Sequence, residues 1–564
     1  MTAAVTAGAA PHEPPDWYAI NWRQAERTVR RLQARIVQAT REGRWGKVRA
    51  LQHLLTHSFS GKALAVRRVT SNRGKRTPGV DGETWTTPVQ KARAVTTLRC
   101  HGYRPRPLRR VYIPKSNGKE RPLGIPTMRD RAMQALYLLA LDPVAETTGD
   151  PNSYGFRKER STADAIDQCY MVLGRAHSAE WVLEGDIVSC FDCISHDWLL
   201  THVPLDRVML RKWLAAGYME QATFHPTEEG TPQGGIISPV LANLALDGLE
   251  RQLRERFRPK FGKPHPKVNL VRYADDFIIT GRSRELLEDE VKPLVEAFLR
   301  ERGLALSPEK TAITHIEEGF DFLGFTVRRF GQRLFIRPSR RNVHTFLTTV
   351  RGLVKANKQA QPGHLLIHLN RRIRGWTNYH RHVSSRSAFN SVDYALFTLL
   401  WRWARRRHPN KGKAWVRKTY FPPHGNRQWV FTGTVMKADG KAATLRLFVA
   451  SSVLYRRHVR VRGEAHPYDP AWDGYYLLRH SRNVPAALAG RRDLGRLWEE
   501  QGGRCLACAQ PLTEAEGWHN HHLVPRAAGG GNQLANRALL HPLCHRQVHL
   551  HRFGTASPRS ARSE

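Results

Sequence analysis

Residues 269–281 read NLVRYADDFIITG, two apolar runs on either side of Ala274-Asp275-Asp276. Such runs around a short polar break predict a hairpin whose tight turn lifts two carboxylates out of a sheet. Upstream, EWVLEGDIVSCFDCISHDWLL (residues 180–200) takes an apolar strand, Trp181 to Leu183, into Asp186 and turns at Ser189-Cys190-Phe191. Three carboxylates converging from adjacent strands would hold two divalent cations roughly 3.5–4 Å apart. Such a pair lowers the pKa of an attacking hydroxyl and stabilises a leaving pyrophosphate, and hard oxygen donors select Mg²⁺. Taken alone, Asp-Asp in a turn is also ordinary turn chemistry, so the decision falls to the surrounding sequence.

The chain has 564 residues, enough for three or four domains at ~150 residues each. It is 41% hydrophobic and 25% charged, ordinary for a protein with a sizeable core. Its charge is not ordinary: 90 Lys+Arg against 49 Asp+Glu leave +41, spread over the whole length. Nucleic acid is the expected partner, with salt-dependent affinity. No apolar run reaches the ~18–20 residues of a membrane span, and residues 135–140 come nearest. The opening MTAAVTAGAAPHEPPDWY lacks the basic n-region of a secretion signal and the Arg-rich pattern of a transit peptide. Seven cysteines, Cys100, Cys169, Cys190, Cys193, Cys505, Cys508 and Cys544, read as reduced thiols plus one metal site. These features predict a cytoplasmic protein that works at the nucleoid and has no membrane partner.

Composition shifts divide the chain. Residues 1–65 begin small and Pro-rich, an expected disordered start, and continue as basic helices in which Val29, Leu32, Ile36 and Val37 recur at helical spacing. SNRGKRTPGVDGETW (residues 71–85) is turn-rich, and an α/β stretch runs to about residue 330. A helical, basic stretch, 331–420, follows. Residues 421–490 carry short β-like runs such as WVFTGTV and TLRLFVA, and 491–564 hold most of the Cys and His spacing. In the helical stretch, Leu365, Leu369, Ile373 and Trp376 share one face, with Arg371, Arg372 and Arg374 turned elsewhere. LWRWARRRHPNK (residues 400–411) sets tryptophans among Arg405, Arg406 and Arg407, a mixture suited to phosphate contact plus stacking. A solvated face on a core-packed helix would read the same way.

At the C-terminus, Cys505-Leu-Ala-Cys508 and His541-Pro-Leu-Cys544 are two pairs at knuckle spacing, together a Cys₃His tetrahedral zinc site. His545 and His549, four apart, share one helical face and with His521 could hold a divalent cation at a scissile phosphate. His522 is the expected general base for water, and Asn536 the expected orienting partner of its imidazole. The run His519-Asn520-His521-His522 leaves ligand and base open among its histidines. A zinc-stabilised DNA-binding knob without cleavage is the alternative.

Six blocks in order resemble reverse transcriptases, and more narrowly the multifunctional proteins encoded by bacterial group II introns. They are RRVYIPKSNGKERPLGIPTMRDRAMQ (109–134), NSYGFRKERSTADAI (152–166), the Asp186 segment, GTPQGGIISPVLANLALDGLE (230–250), YADD, and GLALSPEKT with GFDFLGF (303–325). The resemblance implies a multidomain α+β fold: right-hand fingers and palm over 66–330, an α-helical thumb or X domain, a small basic DNA-binding region, and a ββα-metal HNH domain. It makes Asp186, Asp275 and Asp276 the Mg²⁺ ligands, with the Ile187 carbonyl as a further contact. It places Phe191 against the sugar 2′ position, Lys115 and Arg121 on the triphosphate of a dNTP, and Gln233-Gly234 beneath the incoming nucleotide or template. Arg157 and Arg160 would grip template phosphate. The segment LNRRIRGWTNYHR resembles the maturase domain, whose partner is the parent intron RNA. HNHHLVPRAAGGGNQLANRALL resembles the HNH nuclease motif, departing from it at Arg537, where Leu is usual, and at His541, where zinc Cys is usual.

The function so implied joins three activities: a maturase for the chain's own intron RNA, an RNA-directed DNA polymerase, and an endonuclease nicking the second strand of target DNA to prime reverse transcription. The rivals are a splicing-only RNA-binding maturase, against which the intact YADD argues, and a domesticated reverse transcriptase, against which the HNH segment argues.

Overall fold

The structure is a computed structural model, and it describes residues 16–114, 120–221, 223–231, 234–259, 261–262, 264–436, 440, 442–481, 492–512 and 517–551. The expected disordered start, and the site candidates Lys115 and Gln233, lie outside the described residues.

Three basic helices, Trp22–Arg41, Trp45–His57 and Phe59–Ser71, open the described chain. Side-chain caps set their starts: Asn21 accepts from the Gln24 N–H and Ser58 from the Gly61 N–H. Their apolar faces pack on Met128–Thr148, a helix buried on nearly every side, as its almost continuous apolar sequence requires.

Alongside these helices the chain forms two four-stranded sheets. The outer one orders its strands Glu120–Ile125, Leu108–Pro114, Tyr218–Glu220 and Thr223–His225, with Arg121 opposite Ile113. The inner one orders Asn269–Tyr273, Asp276–Gly281, Trp181–Gly185 and Ala312–His315, all antiparallel. The 269–281 stretch is the expected hairpin, and Tyr273 faces Asp276 across a two-residue turn.

Helices Arg340–Ala356, Pro362–His380 and Arg386–Arg407 bury Val350, Leu365, Leu369, Ile373 and Leu396 in a separate core. The described residues of 421–481 pack against two neighbours. The hairpin Thr432–Met436 with Ala442–Arg446 leads from Phe431, which is buried in that helical core together with Ala450, and Asp393 receives the Ala450 and Ser451 N–H groups. Residues 456–481 turn the other way, as a strap across the inner-sheet domain. Fully buried Asp164 takes hydrogen bonds from His458 (2.9 Å) and the Val461 N–H (2.8 Å), while Asp469 and Asp473 pair with Arg41 and Arg30. Short irregular segments that cannot form a core alone are here divided between two neighbours.

The last domain is a helix, Arg492–Glu500, a ribbon of His519–His522 with Arg537–Leu540, and a helix, Pro542–His551. It sits on the N-terminal helices, where buried Gln547 donates through Nε2 to the Tyr18 and Ile20 carbonyls, 3.0 Å each. Among the described residues, no helix is long and apolar enough to cross a membrane.

Candidate functional site

The hairpin turn puts Ala274 at φ 58°, a conformation that disfavours side chains. Two neighbours hold it there. The backbone of 152–154 runs along the strand, with Tyr154 N–H on the Arg272 carbonyl and Arg272 N–H on the Asn152 carbonyl. Gly155 can approach because it lacks a Cβ, which would overlap the Ala274 backbone nitrogen. Beneath the turn, Arg272 is buried, ion-paired with Asp247, and donates to Asn243 Oδ1 (3.3 Å) and to the Ala274 carbonyl (3.4 Å).

Asp186 ends the neighbouring strand beside this turn. Its carbonyl accepts from Ser307 N–H and Val188 N–H reaches the Ala305 carbonyl, so the ladder to 305–307 leaves the Ile187 peptide groups directed to the side of the turn. The three carboxylates oppose one another electrically. Burial, and then Asp186, raise the Asp275 carboxyl above its ordinary value, against Arg121 and Lys310. Burial, followed by Asp275 and Asp186, pushes Asp276 up to about 6. Lys310 Nζ lies 2.6 Å from Asp186 Oδ2. A half-buried group of oxygen donors, short of positive charge, fits divalent cations of the Mg²⁺ class.

Around it, Arg121 projects from the outer sheet close enough to act on Asp275, and Phe191 packs edge-on to Phe156, ring centroids 6.1 Å apart. Gly234, at φ 123°, lies where a Cβ would meet the Gly124 carbonyl at 2.5 Å, tying its loop to the outer sheet. Sequence reasoning missed Lys310 and Arg272. Lys310 lies in the SPEKT run, where spacing alone gave no reason to pair it with an acid 124 residues away.

Arg157 and Arg160 do not face a template. Their side chains are 7% and 3% exposed and close on Glu146, Arg157 through a two-pronged pair at 2.8 Å and Arg160 at 3.1 Å. Arg157 also caps the Asp150 and Ser153 carbonyls. Arg157 spends its donors on the scaffold below the site, and Arg160 meets Glu146 through Nε and Nη2, with Nη1 buried and unpartnered among the described residues. Trp376 is likewise a packing residue: it stacks on Phe346 at 4.7 Å and donates to Asn342 Oδ1 at 2.8 Å. Arg371, Arg372, Arg374, Arg405 and Arg406 are exposed, whereas Arg407 is half-buried on the Ala360 carbonyl.

In the last domain, Cys505, Cys508, His541 and Cys544 are all buried, with their ligand atoms within 4.8 Å of one another. His541 spends Nε2 on the Pro511 carbonyl (3.1 Å), which leaves Nδ1 facing Cys508 Sγ at 3.3 Å. That is the outer hydrogen bond by which a ligand imidazole is oriented. The Cys508 and Cys544 thiols draw Cys505 far down toward thiolate. This donor set fits one tetrahedral zinc.

The ribbon's alternation places His519 and His521 on one face. His521, His545 and His549 form a second group within 4.8 Å, while His519 touches only the far nitrogen of His545. Burial, with histidine neighbours, holds His545 at about 4 and His521 below its ordinary value, so both offer neutral lone pairs at pH 7. His522 lies outside the group, its Nε2 2.9 Å from Asn532 Oδ1. Asn536 does not orient that imidazole. It braces the loop, accepting from Val524 N–H (2.7 Å) and donating to the Val524 and Gly531 carbonyls. The intervening glycine-rich loop obscured Asn532 in the sequence.

Four family models match in order: "N-terminal domain of reverse transcriptase" over residues 17–98, "Reverse transcriptase (RNA-dependent DNA polymerase)" over 113–327, "Group II intron, maturase-specific domain" over 343–421 and "HNH endonuclease" over 505–550. Protein YkfC of Escherichia coli is 36% identical over 47% of this chain and 80% of its own length. The group II intron-encoded protein LtrA of Lactococcus lactis is 30% identical over 47% of this chain, which spans about half, 54%, of that relative. A telomerase structure from Candida albicans aligns at TM-score 0.32 and 12% identity over 54% of this chain and 58% of that one. With reverse transcriptase, maturase and HNH domains joined in that order, the chain belongs to the group II intron-encoded proteins.

Proposed function

We propose that this chain binds its parent intron RNA, assists its splicing, and then nicks and copies at a DNA target. The observation that carries the reading is the presence, on one connected body, of an aspartate hairpin built for nucleotidyl transfer and a separate histidine group built for phosphodiester cleavage.

At the hairpin, two divalent cations would supply hydroxyl activation and charge neutralisation for the leaving pyrophosphate. Asp186, Asp275 and Asp276 supply the oxygens, and the Ile187 carbonyl adds another on the same side. Lys310 shields Asp186 until cations replace it. Arg121 offers a planar fork, and Lys115 a point charge, to the triphosphate of an incoming dNTP. Phe191, held against Phe156, closes the space beside the sugar and selects against a 2′-hydroxyl. Gly234 forms part of the floor under the base pair.

In the nuclease domain His521, His545 and His549 would hold one divalent cation, and a zinc held by Cys505, Cys508, His541 and Cys544 would stabilise the fold around it. His522, kept in one tautomer by Asn532, takes the proton from the attacking water. The nicked strand's 3′-hydroxyl then serves as primer at the hairpin. The exposed arginines of the maturase domain, Arg371, Arg372, Arg374, Arg405 and Arg406, bind intron RNA by phosphate contact, leaving splicing chemistry to the RNA itself.

The test is to express the chain with its flanking transcript and sequence the RNA retained through a high-salt wash. One dominant, excised, branched RNA containing the chain's reading frame is expected. A heterogeneous population would overturn the maturase assignment and favour a free-standing polymerase.

A further inference from the structure

The nuclease domain and the N-terminal helical domain meet along a seam that has its own chemistry. Gln547, between the metal-group histidines His545 and His549 in sequence, is buried and donates twice to the backbone at Tyr18 and Ile20. Leu494, Leu497, Trp498 and Leu540 belong to the same apolar cluster as Trp17 and Trp22. The two domains are therefore one packed body rather than beads on a linker.

Beside this contact lies a cavity of about 170 Å³ lined by Lys75 and Lys91 from the N-terminal side and Arg546 from the nuclease helix. Pockets for drug-sized molecules run to ~300–1,000 Å³, so this one suits a single small group. Its lining is strongly one-signed. Among the described residues, no carboxylate pairs with Lys75, Lys91 or Arg546, and the Glu26 carboxylate is taken by Arg67, 3.5 Å away at the cavity wall. Lys91, half-buried with its ammonium 5.8 Å from the Trp17 ring centroid, feels both Lys75 and Arg546 as repelling neighbours. Folding sets half-buried Lys91 beside the exposed Lys75 and Arg546 from two domains with no paired carboxylate among the described residues, a local positive potential that favours an anion.

We infer that this seam binds a backbone phosphate of the DNA duplex presented to the nuclease, with Lys75, Lys91 and Arg546 as its ligands. DNA is favoured over intron RNA by position. Arg546 follows His545 directly on the helix that carries the metal group. A duplex strand carries a charge every ~3.4 Å of axis, so a strand bound at His545 and His549 presents a row of phosphates alongside the helix that also carries Arg546. The inference rests on the nuclease reading, and it makes the N-terminal domain half of the nuclease's DNA-binding surface.

The test uses the full chain in its RNA complex, with Lys91→Ala, Arg546→Ala and the double variant, and Lys91→Arg as the charge-conserving control. Binding of a 40-base-pair target duplex is followed across salt concentrations in a His522→Ala background, which blocks nicking with the metals left in place. The double variant should bind about 10-fold more weakly, with the slope of log K against log salt shallower by roughly one for each phosphate left without its cation. Lys91→Arg should restore most of it. Nicking should slow below saturating DNA and recover at saturation, while dNTP incorporation on an RNA template with an annealed DNA primer stays unchanged. Unchanged duplex affinity and slope in the double variant would overturn the inference. So would a loss confined to intron RNA, or a site that responds only to inorganic pyrophosphate. His522→Ala separates the two readings. If neither it nor the wild type nicks while the binding difference persists, the nuclease reading fails and the seam stands.

Discussion

Replacing Arg157 by alanine should destabilise this protein rather than loosen its grip on RNA. The guanidinium closes both carboxylate oxygens of Glu146 at 2.8 Å and caps the Asp150 and Ser153 carbonyls, with 7% of the side chain exposed. Glu146 is 4% exposed and keeps only the weaker contact with Arg160, at 3.1 Å, once Arg157 is gone. Removing one partner of a buried pair costs about 3–5 kcal/mol, because the other charge stays buried and unpaired. In a cooperative unit of 150–250 residues each kcal/mol moves the melting midpoint by about 2–4 °C, so a fall of roughly 6–20 °C is expected. The pH dependence has a definite sign. Burial alone would raise the Glu146 carboxyl, but Arg157 and then Arg160 hold it below its ordinary value. The pair's contribution is therefore present above the unfolded carboxylate range and lost as pH falls through the lowered folded value. The penalty of the substitution should be largest near neutrality and shrink in acid. The assay is thermal denaturation at several pH values, beside RNA affinity measured against salt on the folded fraction. A midpoint within about 2 °C of wild type, with the salt slope shallower by about one, would refute the buried-clamp account and return Arg157 to the template.

Asp275→Asn should abolish dNTP incorporation while leaving target nicking and RNA retention intact, measured on one preparation; loss of all three with an unchanged melting curve would break the separation of sites. Cys508→Ser should release zinc, read by a chelating dye, and abolish nicking, yet leave polymerisation on an RNA template at near wild-type rate. Asn532→Ala should lower the nicking rate by about 10–100-fold, the usual effect of losing an orienting hydrogen bond near a metal site, and move its pH profile, whereas Asn536→Ala should act through stability and lower the domain's melting temperature. Trp376→Ala should destabilise the helical domain by about 3–5 kcal/mol with no change in the salt slope for RNA.

Local patterns fixed much of this protein in advance. Two apolar runs around Asp275-Asp276 are a hairpin because strand alternation and a two-residue turn are short-range properties. Paired cysteine and histidine spacings meet because four ligands within turns and one helix have few other ways to converge. The helical face of Leu365, Leu369 and Ile373 is buried as its period demands. What tertiary structure alone decided concerns which polar groups face each other across long separations. An arginine in a basic chain reads as a phosphate ligand until its partner is known, and Glu146 claims Arg157 and Arg160 by burial that neither segment encodes alone. Lys310 meets Asp186 across 124 residues, Arg272 is held beneath the Ala274 turn by Asp247 and Asn243 of a neighbouring segment, and the loop's own folding gives His522 Asn532 rather than Asn536. The placement of the described residues of 421–481 follows the same rule. A segment too short to bury its own apolar surface takes its position from whichever core is beside it, and only the folded chain determines which that is.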